Sequence, residues 1–231
     1  MSSRYLFREV AMCGRYTLAV TPARLAARFG VAPLEFQPRY NIAPTQPVVA
    51  ARNGQNGREL VFLRWGLIPA WAKDASIGAR MINARSETAL DKPAFRTAFR
   101  RRRCLLPASG FYEWQTTPAG KQPYYFSPVD DEMIAFAGLW EQWQAPDGTL
   151  IESCTILTTA ANEVVAPIHD RMPVMLPSDL AALWLDPAAD VARLHELCLA
   201  PPPVALRVYP VSKAVNQVRN DSEVLIRPQQ V

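Results

Sequence analysis

The chain has 231 residues, of which 25 are lysine or arginine and 21 are aspartate or glutamate, so its formal net charge is +4. Hydrophobic residues make up 49% of the sequence and charged residues 20%, a composition that excludes an intrinsically disordered chain and suits one folded domain. With 21 prolines and only 10 glycines, many segments begin or end at a fixed backbone angle, which argues against a coiled coil or a bundle of long helices.

A short strand and a short helix are the first predicted elements. Residues 14–20 are typical of a strand, and Thr21 follows as a helix N-cap with Pro22 at the first helical position. Gly30 is expected to end this amphipathic helix. Further on, the turn sequence Asn-Gly-Gln-Asn-Gly predicts a β-hairpin between two apolar runs, residues 48–51 and 60–63.

An arginine-rich helix is predicted next. Asp91 opens it, with Pro93 just behind, and Phe95 and Phe99 share an apolar side. The cluster either lines a phosphate track or is a solvated helix face, and the sequence leaves both readings open. Its five arginines fall within eight residues: Arg96, Arg100, Arg101, Arg102 and Arg103.

Strand-like runs dominate the middle of the chain. They follow one another at short intervals, which indicates antiparallel sheet, and two further helices and a last strand come after them. We therefore predict an α+β protein with a central antiparallel sheet. The runs cover residues 110–115, 124–127, 133–143, 150–159 and 173–176, the helices residues 178–185 and 188–199, and the last strand residues 205–211.

Cysteine and histidine are too scarce for a metal centre or a disulfide framework. The four cysteines contain no C-x-x-C pair, and His169 and His195 are the only histidines, so we expect no metal and no cofactor. The sequence shows neither a long apolar run nor a signal peptide. We accordingly expect a cytoplasmic protein with reduced thiols that does not bind membranes.

Two side chains are candidates for acid–base chemistry. Glu113 lies between Tyr112 and Trp114; aromatic neighbours would raise the pKa of its carboxyl, unless it is an edge-strand glutamate that points to solvent. His169 precedes an aspartate and an arginine in a loop, which suits either proton transfer or a structural role. His195 shares a helix face with apolar residues, so we expect it to be a packing residue.

Asn83 and Arg85 are two residues apart in an extended segment, so their side chains are expected on the same side. An amide that orients a nucleophile beside a guanidinium that binds a phosphate is consistent with that spacing. Tryptophans elsewhere in the chain offer surfaces on which nucleic-acid bases stack.

Seven short motifs together resemble those of the SRAP family, the abasic-site processing proteins first named SOS response-associated peptidases. They stand in the family's order and span nearly the whole chain. The resemblance implies a single SRAP domain over residues 12–231, with a barrel-like β-sheet core and short peripheral helices. The motifs are Met-Cys-Gly-Arg-Tyr (12–16), Asn-Ile-Ala-Pro (41–44), Trp-Gly-Leu-Ile-Pro-Ala-Trp (65–71), Ile-Asn-Ala-Arg-Ser-Glu-Thr (82–88), Gly-Phe-Tyr-Glu-Trp (110–114), Ile-His-Asp-Arg-Met-Pro (168–173) and Val-Ser-Lys-Ala-Val-Asn (211–216).

This resemblance implies a sensor that crosslinks to abasic sites in single-stranded DNA through an N-terminal cysteine. The opened sugar of an abasic site carries an aldehyde; an α-amine condenses with it to an imine, and the thiol of the same residue closes a thiazolidine ring. Only an N-terminal cysteine has both groups, and an α-amine with a pKa of about 7.7–8.0 is partly neutral near pH 7. AP-lyase activity, crosslink reversal and removal of residues before the cysteine are further implied activities.

Family roles carry over to matching positions of this sequence. Cys13 would be the crosslinking nucleophile, and Asn83 would orient its amine or thiol. Glu113 would assist ring opening and proton transfer, and His169 would act on the sugar hydroxyl and in a slower strand-cleaving or reversing step. A monomer, associated with the nucleoid when bound to DNA, is also expected. The residues implied in DNA binding are Arg15, Pro44, Trp71, Arg85, Thr158 and Arg171.

The position of Cys13 departs from the family pattern. Residues 1–11 precede Met12, so the amine of Cys13 is in a peptide bond in the sequence as written. Three explanations are open: Met12 is the translation start, the extension is removed by self-cleavage, or this member is inactive. We expect the mature protein to begin at Cys13.

Two other functions fit the same residues. An autoproteolytic cysteine peptidase would use the terminal amine as its base. A non-catalytic single-strand binder would depend on arginines and aromatic side chains alone. Only covalent capture requires an abasic site, so the substrate distinguishes the three functions.

Overall fold

The computed structural model describes residues 14–130, 132–201 and 204–229, and no helix in these segments is long and apolar enough to cross a bilayer. The helices are α1 (Pro22–Phe29), α2 (Arg96–Arg101), α3 (Ser178–Leu185) and α4 (Val191–Leu199), with 3₁₀ helices at Ala75–Arg80, Ser86–Thr88, Lys213–Asn216 and Glu223–Ile226. The strands are β1 (Tyr16–Leu18), β2 (Arg39–Ile42), β3 (Pro47–Gly54), β4 (Gly57–Trp65), β5 (Asn83–Arg85), β6 (Arg103–Ala108), β7 (Gly110–Thr117), β8 (Gly120–Pro128), β9 (Ile134–Gln144), β10 (Leu150–Ala160), β11 (Arg171–Pro173), β12 (Met175–Leu176) and β13 (Leu206–Pro210).

Five strands close into a barrel. β10 pairs with β4 on one side and with β9 on the other, and the ring runs β10-β4-β3-β6-β9. Closure pairs both edges of each strand, and Leu105, Phe136 and Ile156 are fully buried core residues on three of them. The predicted α+β fold with a barrel-like core is confirmed. One pair in the ring, β10 with β4, is parallel rather than antiparallel, which the pattern of short strands did not indicate.

A second sheet packs against the barrel through aromatic rings. Its strand order is β13-β8-β7-β1-β2. Tyr16 of β1 contacts Trp65 and Phe136 edge-on, with ring centroids 5.4 and 5.8 Å apart. Phe111 of β7 stacks on Phe126 at 4.9 Å and meets Phe136 edge-on. These rings are completely buried, so their packing sets the position of the second sheet relative to the barrel.

Helix α1 follows the predicted start and stop signals. The Thr21 hydroxyl accepts the amide of Arg24 at 3.3 Å, and Pro22 is the first helical residue. Gly30 ends the helix in the left-handed conformation, with φ of 63°, which costs glycine little. Leu25 is buried on the inner face. Local signals were therefore sufficient to predict this helix.

The second and fourth helices begin later than predicted. After residue 91 the chain first makes turns, in which the Lys92 amide donates to the Thr88 carbonyl at 3.0 Å, and regular helix begins at Arg96. Pro93 disfavours helical geometry at residue 92, which excludes the first predicted residues from the helix. Helix α4 begins at Val191 rather than 188.

The arginine cluster divides into a buried and an exposed part. Arg103 is only 6% exposed, and Arg102 pairs with Glu141 at 2.7 Å. Arg96, Arg100 and Arg101 are exposed. A phosphate track along all five is therefore wrong, because Arg103 ties α2 to α3 from inside. It donates to the main-chain carbonyls of Trp184, Phe99, Arg100 and Asp186.

Candidate functional site

A cavity of about 350 Å³ lies beside β7, just beyond the point where its pairing with β1 ends. The two strands pair only at Tyr16 with Phe111 and at Thr17 with Gly110. Beyond that point the side chains of β7 reach a space that is closed by the second sheet, the loop before β11 and the 3₁₀ helix Lys213–Asn216. The lining residues are Gly14, Arg15, Pro44, Glu113, Trp114, Lys121, His169 and Asn216.

Gly14, the residue that follows the predicted nucleophile Cys13 in the chain, belongs to the cavity wall. Cys13 itself lies outside the described residues. Gly14 lines the cavity, and a Cβ built on it would meet no atom within 4 Å. The chain therefore enters the site through an uncrowded position.

Glu113 is a buried carboxylate of the cavity wall. It is only 2% exposed, although it lies beyond the last residue pair between β7 and β1 and is paired across the sheet only with Tyr124 of β8. The alternative of an edge-strand glutamate pointing to solvent is therefore wrong. A carboxylate in a cavity shielded from bulk water is suited to proton transfer.

Trp114 and Asn216 form a contact that the sequence did not predict. The indole Nε1 donates to the Asn216 side-chain oxygen at 2.8 Å, and both residues line the cavity. Tyr112 packs beside the indole with ring centroids 6.5 Å apart. The two motifs that contain Trp114 and Asn216 were recognised, but their pairing depends on a contact across 102 residues.

His169 lines the cavity with one ring nitrogen already engaged. Its Nδ1 lies 3.0 Å from the main-chain amide of Arg171 and 3.2 Å from the carbonyl oxygen of the same residue, and 3.3 Å from Asp170 Oδ1. Nδ1 is therefore held by these neighbours in either tautomer of the ring. The side chain is 11% exposed. Gln115 of β7 donates to the Pro167 carbonyl at 3.1 Å, which ties the His169 loop to the strand that carries Glu113.

Arg15 is anchored at one end of its guanidinium. Nη1 donates to the Asn41 side-chain oxygen at 2.9 Å and to the Val215 carbonyl at 2.8 Å. Burial lowers the pKa of Arg15, and the charge interaction with Tyr112 partly opposes this. Arginine remains protonated under all ordinary conditions, so Arg15 places a fixed positive charge in the cavity wall.

A second group of predicted residues meets at one edge of the barrel. Thr158 of β10 pairs with Arg85 of β5 on one side and with Pro173 of β11 on the other. Arg85 is exposed, whereas Thr158 is fully buried and accepts Arg171 Nη2 through its carbonyl at 2.7 Å. Thr158 thus acts here mainly through its main chain.

Glu87 is a site residue that sequence reasoning missed. Its two carboxylate oxygens accept both terminal nitrogens of Arg171. The hydrogen bond from Arg171 lowers the pKa of the Glu87 carboxyl. A fork-to-fork pair of this kind fixes the plane of a guanidinium, so Glu87 orients Arg171. The motif of residues 82–88 contains Glu87, which was the available signal.

The remaining predicted residues lie in different surroundings. Pro44 lines the cavity, next to Thr45, which has a positive φ of 70°. Trp71 is 59% exposed on the loop after β4. Asn83 is half-buried in β5, outside the cavity lining. The structure therefore brings Arg15, Pro44, Glu113 and His169 together in one cavity and leaves Asn83, Trp71, Arg85, Thr158 and Arg171 outside its lining.

The three described cysteines are buried and unreactive. Cys104 and Cys154 are completely enclosed in the barrel, and Cys198 is buried on the inner face of α4. Burial raises the pKa of all three thiols, to about 12 for Cys198. A thiolate is the reactive form of cysteine, so none of the three is suited to nucleophilic attack. The part of the chain that the structure describes also holds no group of three residues able to ligate a metal.

Thiol labelling tests this assignment. We expect the native Cys13→Ala variant to react very slowly with an aromatic disulfide reagent, because its three remaining thiols are buried. The wild-type chain should add one fast-reacting thiol, measured as the rapid phase of chromophore release. In denaturant the variant should release three equivalents, one for each described cysteine. A rapid phase in native Cys13→Ala would contradict the prediction.

Comparison with known proteins identifies the family of this chain and several of its relatives. The sequence profile of the family described as "SOS response associated peptidase (SRAP)" matches residues 12–218. The abasic site processing protein YoqW of Bacillus subtilis is 41% identical over 93% of this chain and 99% of its own. The abasic site processing protein HMCES of Gallus gallus is 33% identical over 84% of this chain and 67% of its own.

Solved structures show the same architecture. A crystal structure of a Bacteroides thetaiotaomicron protein superposes with a TM-score of 0.85 at 23% identity, covering 94% of this chain and 100% of that one. A phage-related protein of Bordetella bronchiseptica gives a TM-score of 0.70 at 32% identity, covering 87% of this chain and 95% of that one. The first similarity concerns the fold alone.

Proposed function

Because the chain belongs to the SOS response associated peptidase (SRAP) family, we propose that it senses and processes abasic sites in single-stranded DNA by covalent capture at Cys13. The observation that carries this proposal is the cavity itself. Gly14, which is bonded to Cys13, lines it together with Glu113 and His169. Consecutive α-carbons are about 3.8 Å apart, so a reactive group on residue 13 acts next to these side chains.

The capture reaction forms two bonds to the aldehyde carbon of the opened sugar. The Cys13 amine adds to that carbon and water leaves, which gives an imine. The thiol then adds to the same carbon while its proton moves to the nitrogen, and the thiazolidine ring is complete. The overall change is aldehyde plus aminothiol to thiazolidine plus water, so no oxidant, reductant or cofactor is needed.

Glu113 and His169 divide the proton transfers. The sugar must open before it can react, which requires a proton to leave the anomeric hydroxyl and a proton to reach the ring oxygen. The buried Glu113 carboxylate performs this exchange and assists loss of water from the carbinolamine. The Nδ1 atom of His169 is engaged by the main chain, so Nε2 is the atom that faces the substrate. His169 exchanges a proton with the sugar hydroxyl and acts as acid or base in the slower strand-cleaving or crosslink-reversing step. Asn83 orients the Cys13 amine or thiol.

Phosphates flanking the captured nucleotide bind to the arginines. Arg15 lies in the cavity wall, whereas Arg85 and Arg171 lie beside Thr158 at the barrel edge. Arginines at two places hold a strand that passes across the cavity between them. Trp71 on its exposed loop and Pro44 at the cavity wall contact the neighbouring nucleotides.

Release of the Cys13 amine precedes capture. The mature chain begins at Cys13, either because translation starts at Met12 and that methionine is removed, or because residues 1–12 are cleaved off. The SRAP domain, residues 12–231, then stands without the extension 1–11 and without Met12. Intact-mass measurement of natively expressed protein distinguishes these forms, and a mature chain that starts at Met1 or Ser2 would contradict this part of the proposal.

Covalent capture is tested with single-stranded DNA that carries one abasic site. The Met12-start protein should form a product whose gel shift survives denaturation, and an intact strand should give none. Cys13→Ala should abolish the product, since it removes the thiol that closes the ring. Cys13→Ser is the matched control, because the serine hydroxyl closes a less stable ring and should leave only a labile product.

The outcome of that experiment separates the competing functions. Persistent crosslinking by Cys13→Ala rejects the thiazolidine reaction. Self-cleavage before Cys13 by a protein that never crosslinks supports the autoproteolytic peptidase. Equal binding of intact and abasic strands, with steep salt dependence and no covalent product, supports a simple single-strand binder.

A further inference from the structure

A buried asparagine, Asn41, connects the cavity to the end of the chain. It is fully buried, and its Oδ1 accepts Arg15 Nη1 at 2.9 Å. Its Nδ2 lies within hydrogen-bond distance of three main-chain carbonyls: Val215 at 3.1 Å, Gln217 at 3.1 Å and Asn220 at 2.7 Å. A side-chain amide has two donors and one acceptor group, so all the polar groups of Asn41 are engaged in this network.

Residues 211–227, which we term the C-terminal strap, are fastened to β2 by a carboxylate as well. Asp221 accepts the amides of Tyr40 and Asn41, at 2.5 and 3.0 Å, and pairs with Arg39. The apolar side of the strap, formed by Val211, Val215 and Leu225, packs on Tyr112 and Tyr125. The strap is therefore held by polar and apolar contacts at once.

Two contacts between the strap and residues that line the cavity each fix a long side chain. The Val215 carbonyl accepts Arg15 Nη1 at 2.8 Å, and the Asn216 side chain accepts the Trp114 indole at 2.8 Å. Within the described residues, Nε and Nη2 of Arg15 have no hydrogen-bond acceptor. A long arginine side chain loses rotamer entropy when it becomes ordered, and Asn41 and Val215 impose that order before a ligand binds.

We propose that Asn41 and the C-terminal strap are positioning elements that direct the unused N–H groups of Arg15 at a phosphate of the bound strand. The proposal rests on the proposed function for the identity of that ligand. Asn41 touches no substrate; it acts through Arg15. The 200-residue separation between Arg15 and Val215 means that the binding site is complete only when the end of the domain is in place.

The salt dependence of binding tests this role. The probe is a single-stranded oligonucleotide with a tetrahydrofuran abasic analogue, which lacks the aldehyde and cannot crosslink. Each phosphate contact adds about 0.7 to the slope of log affinity against log salt on single strands. Arg15→Ala and Asn41→Ala should each lower the slope by about 0.7, and the double variant should lower it no further.

Asn53→Ala is the matched control. Asn53 also donates its side-chain amide to a distant main-chain carbonyl, that of Leu185 at 2.9 Å, but it does not line the cavity. Its variant should keep the wild-type slope even if thermal unfolding shows some loss of stability. If Asn41→Ala does not fold, Val215→Ala loosens the apolar side of the strap without removing a side-chain hydrogen bond, and it should shift the slope in the same direction.

Three results would overturn the inference: a wild-type slope for Asn41→Ala beside a reduced one for Arg15→Ala, additive losses in the double variant, or a wild-type slope for Arg15→Ala. Failure of the proposed capture reaction is recognised separately. It appears as absence of a crosslink between wild-type protein and a natural abasic strand, whereas the analogue measures binding alone.

Discussion

Replacement of Glu113 by glutamine is expected to slow crosslinking to an abasic strand by about 10²- to 10⁴-fold. Glutamine keeps the size of the side chain but cannot exchange a proton, and sugar ring opening and loss of water both require proton transfer. Affinity for the tetrahydrofuran strand should not fall, because the substitution removes a negative charge and no phosphate-binding cation. Single-turnover crosslinking on denaturing gels measures the first quantity, and equilibrium anisotropy the second.

Glu141→Gln is the matched control for that substitution. Glu141 is also a buried carboxylate on a strand, with 6% of its surface exposed, but it pairs with Arg102 at 2.7 Å and does not line the cavity. Its variant should crosslink at the wild-type rate. Equal slowing in both variants would show that loss of any buried carboxylate perturbs the fold, and would reject a catalytic role for Glu113.

Replacement of His169 by asparagine is expected to slow strand cleavage or crosslink reversal by about 10²-fold or more, with a smaller effect on crosslink formation. The asparagine oxygen can take the place of Nδ1 and accept the Arg171 amide, which in the wild-type protein is 3.0 Å from Nδ1. The loop is thereby kept while the acid–base group is lost. The measurement is the decay of isolated crosslink over time, followed with excess competitor strand.

His195→Gln provides the comparison for His169. His195 Nε2 lies 2.9 Å from the Ser86 carbonyl and its ring meets Phe99 edge-on, so the side chain packs between elements, as its helix position predicted. The variant should lose some thermal stability and retain the wild-type decay rate. Unchanged crosslink decay in His169→Asn would contradict the assigned role.

The fold was predictable where local chemistry determines it. Helix α1 has its cap at Thr21 and its left-handed stop at Gly30, and both signals act within a few residues. The hairpin β3–β4 follows from two apolar runs and a turn rich in asparagine and glycine. The parallel pair β10–β4 had no such signal, because it joins segments far apart in the chain.

The candidate site was predictable only as a set of motifs. Glu113, His169 and Arg15 were each marked by unusual residue types, and the resemblance to a family supplied their roles. Nothing local could show that Glu113 is buried rather than solvent-facing, since an alternating pattern is the same for an edge strand and a covered one. The roles of Asn41, Glu87 and Asp221 were missed, although two of the three lie in recognised motifs, because their partners are far away in the chain.

By itself, the sequence determined the composition class, the short amphipathic elements and the reactive residue types, because propensity, capping and side-chain chemistry act over a few residues. Only the tertiary structure decided which of these groups meet. Packing of the barrel and of α4 buries three cysteines and leaves Cys13 as the candidate thiol. The return of the C-terminal strap to β2 fixes Arg15 through Asn41. Contacts of this kind form between segments far apart in the chain, so patterns within a few residues do not reveal them.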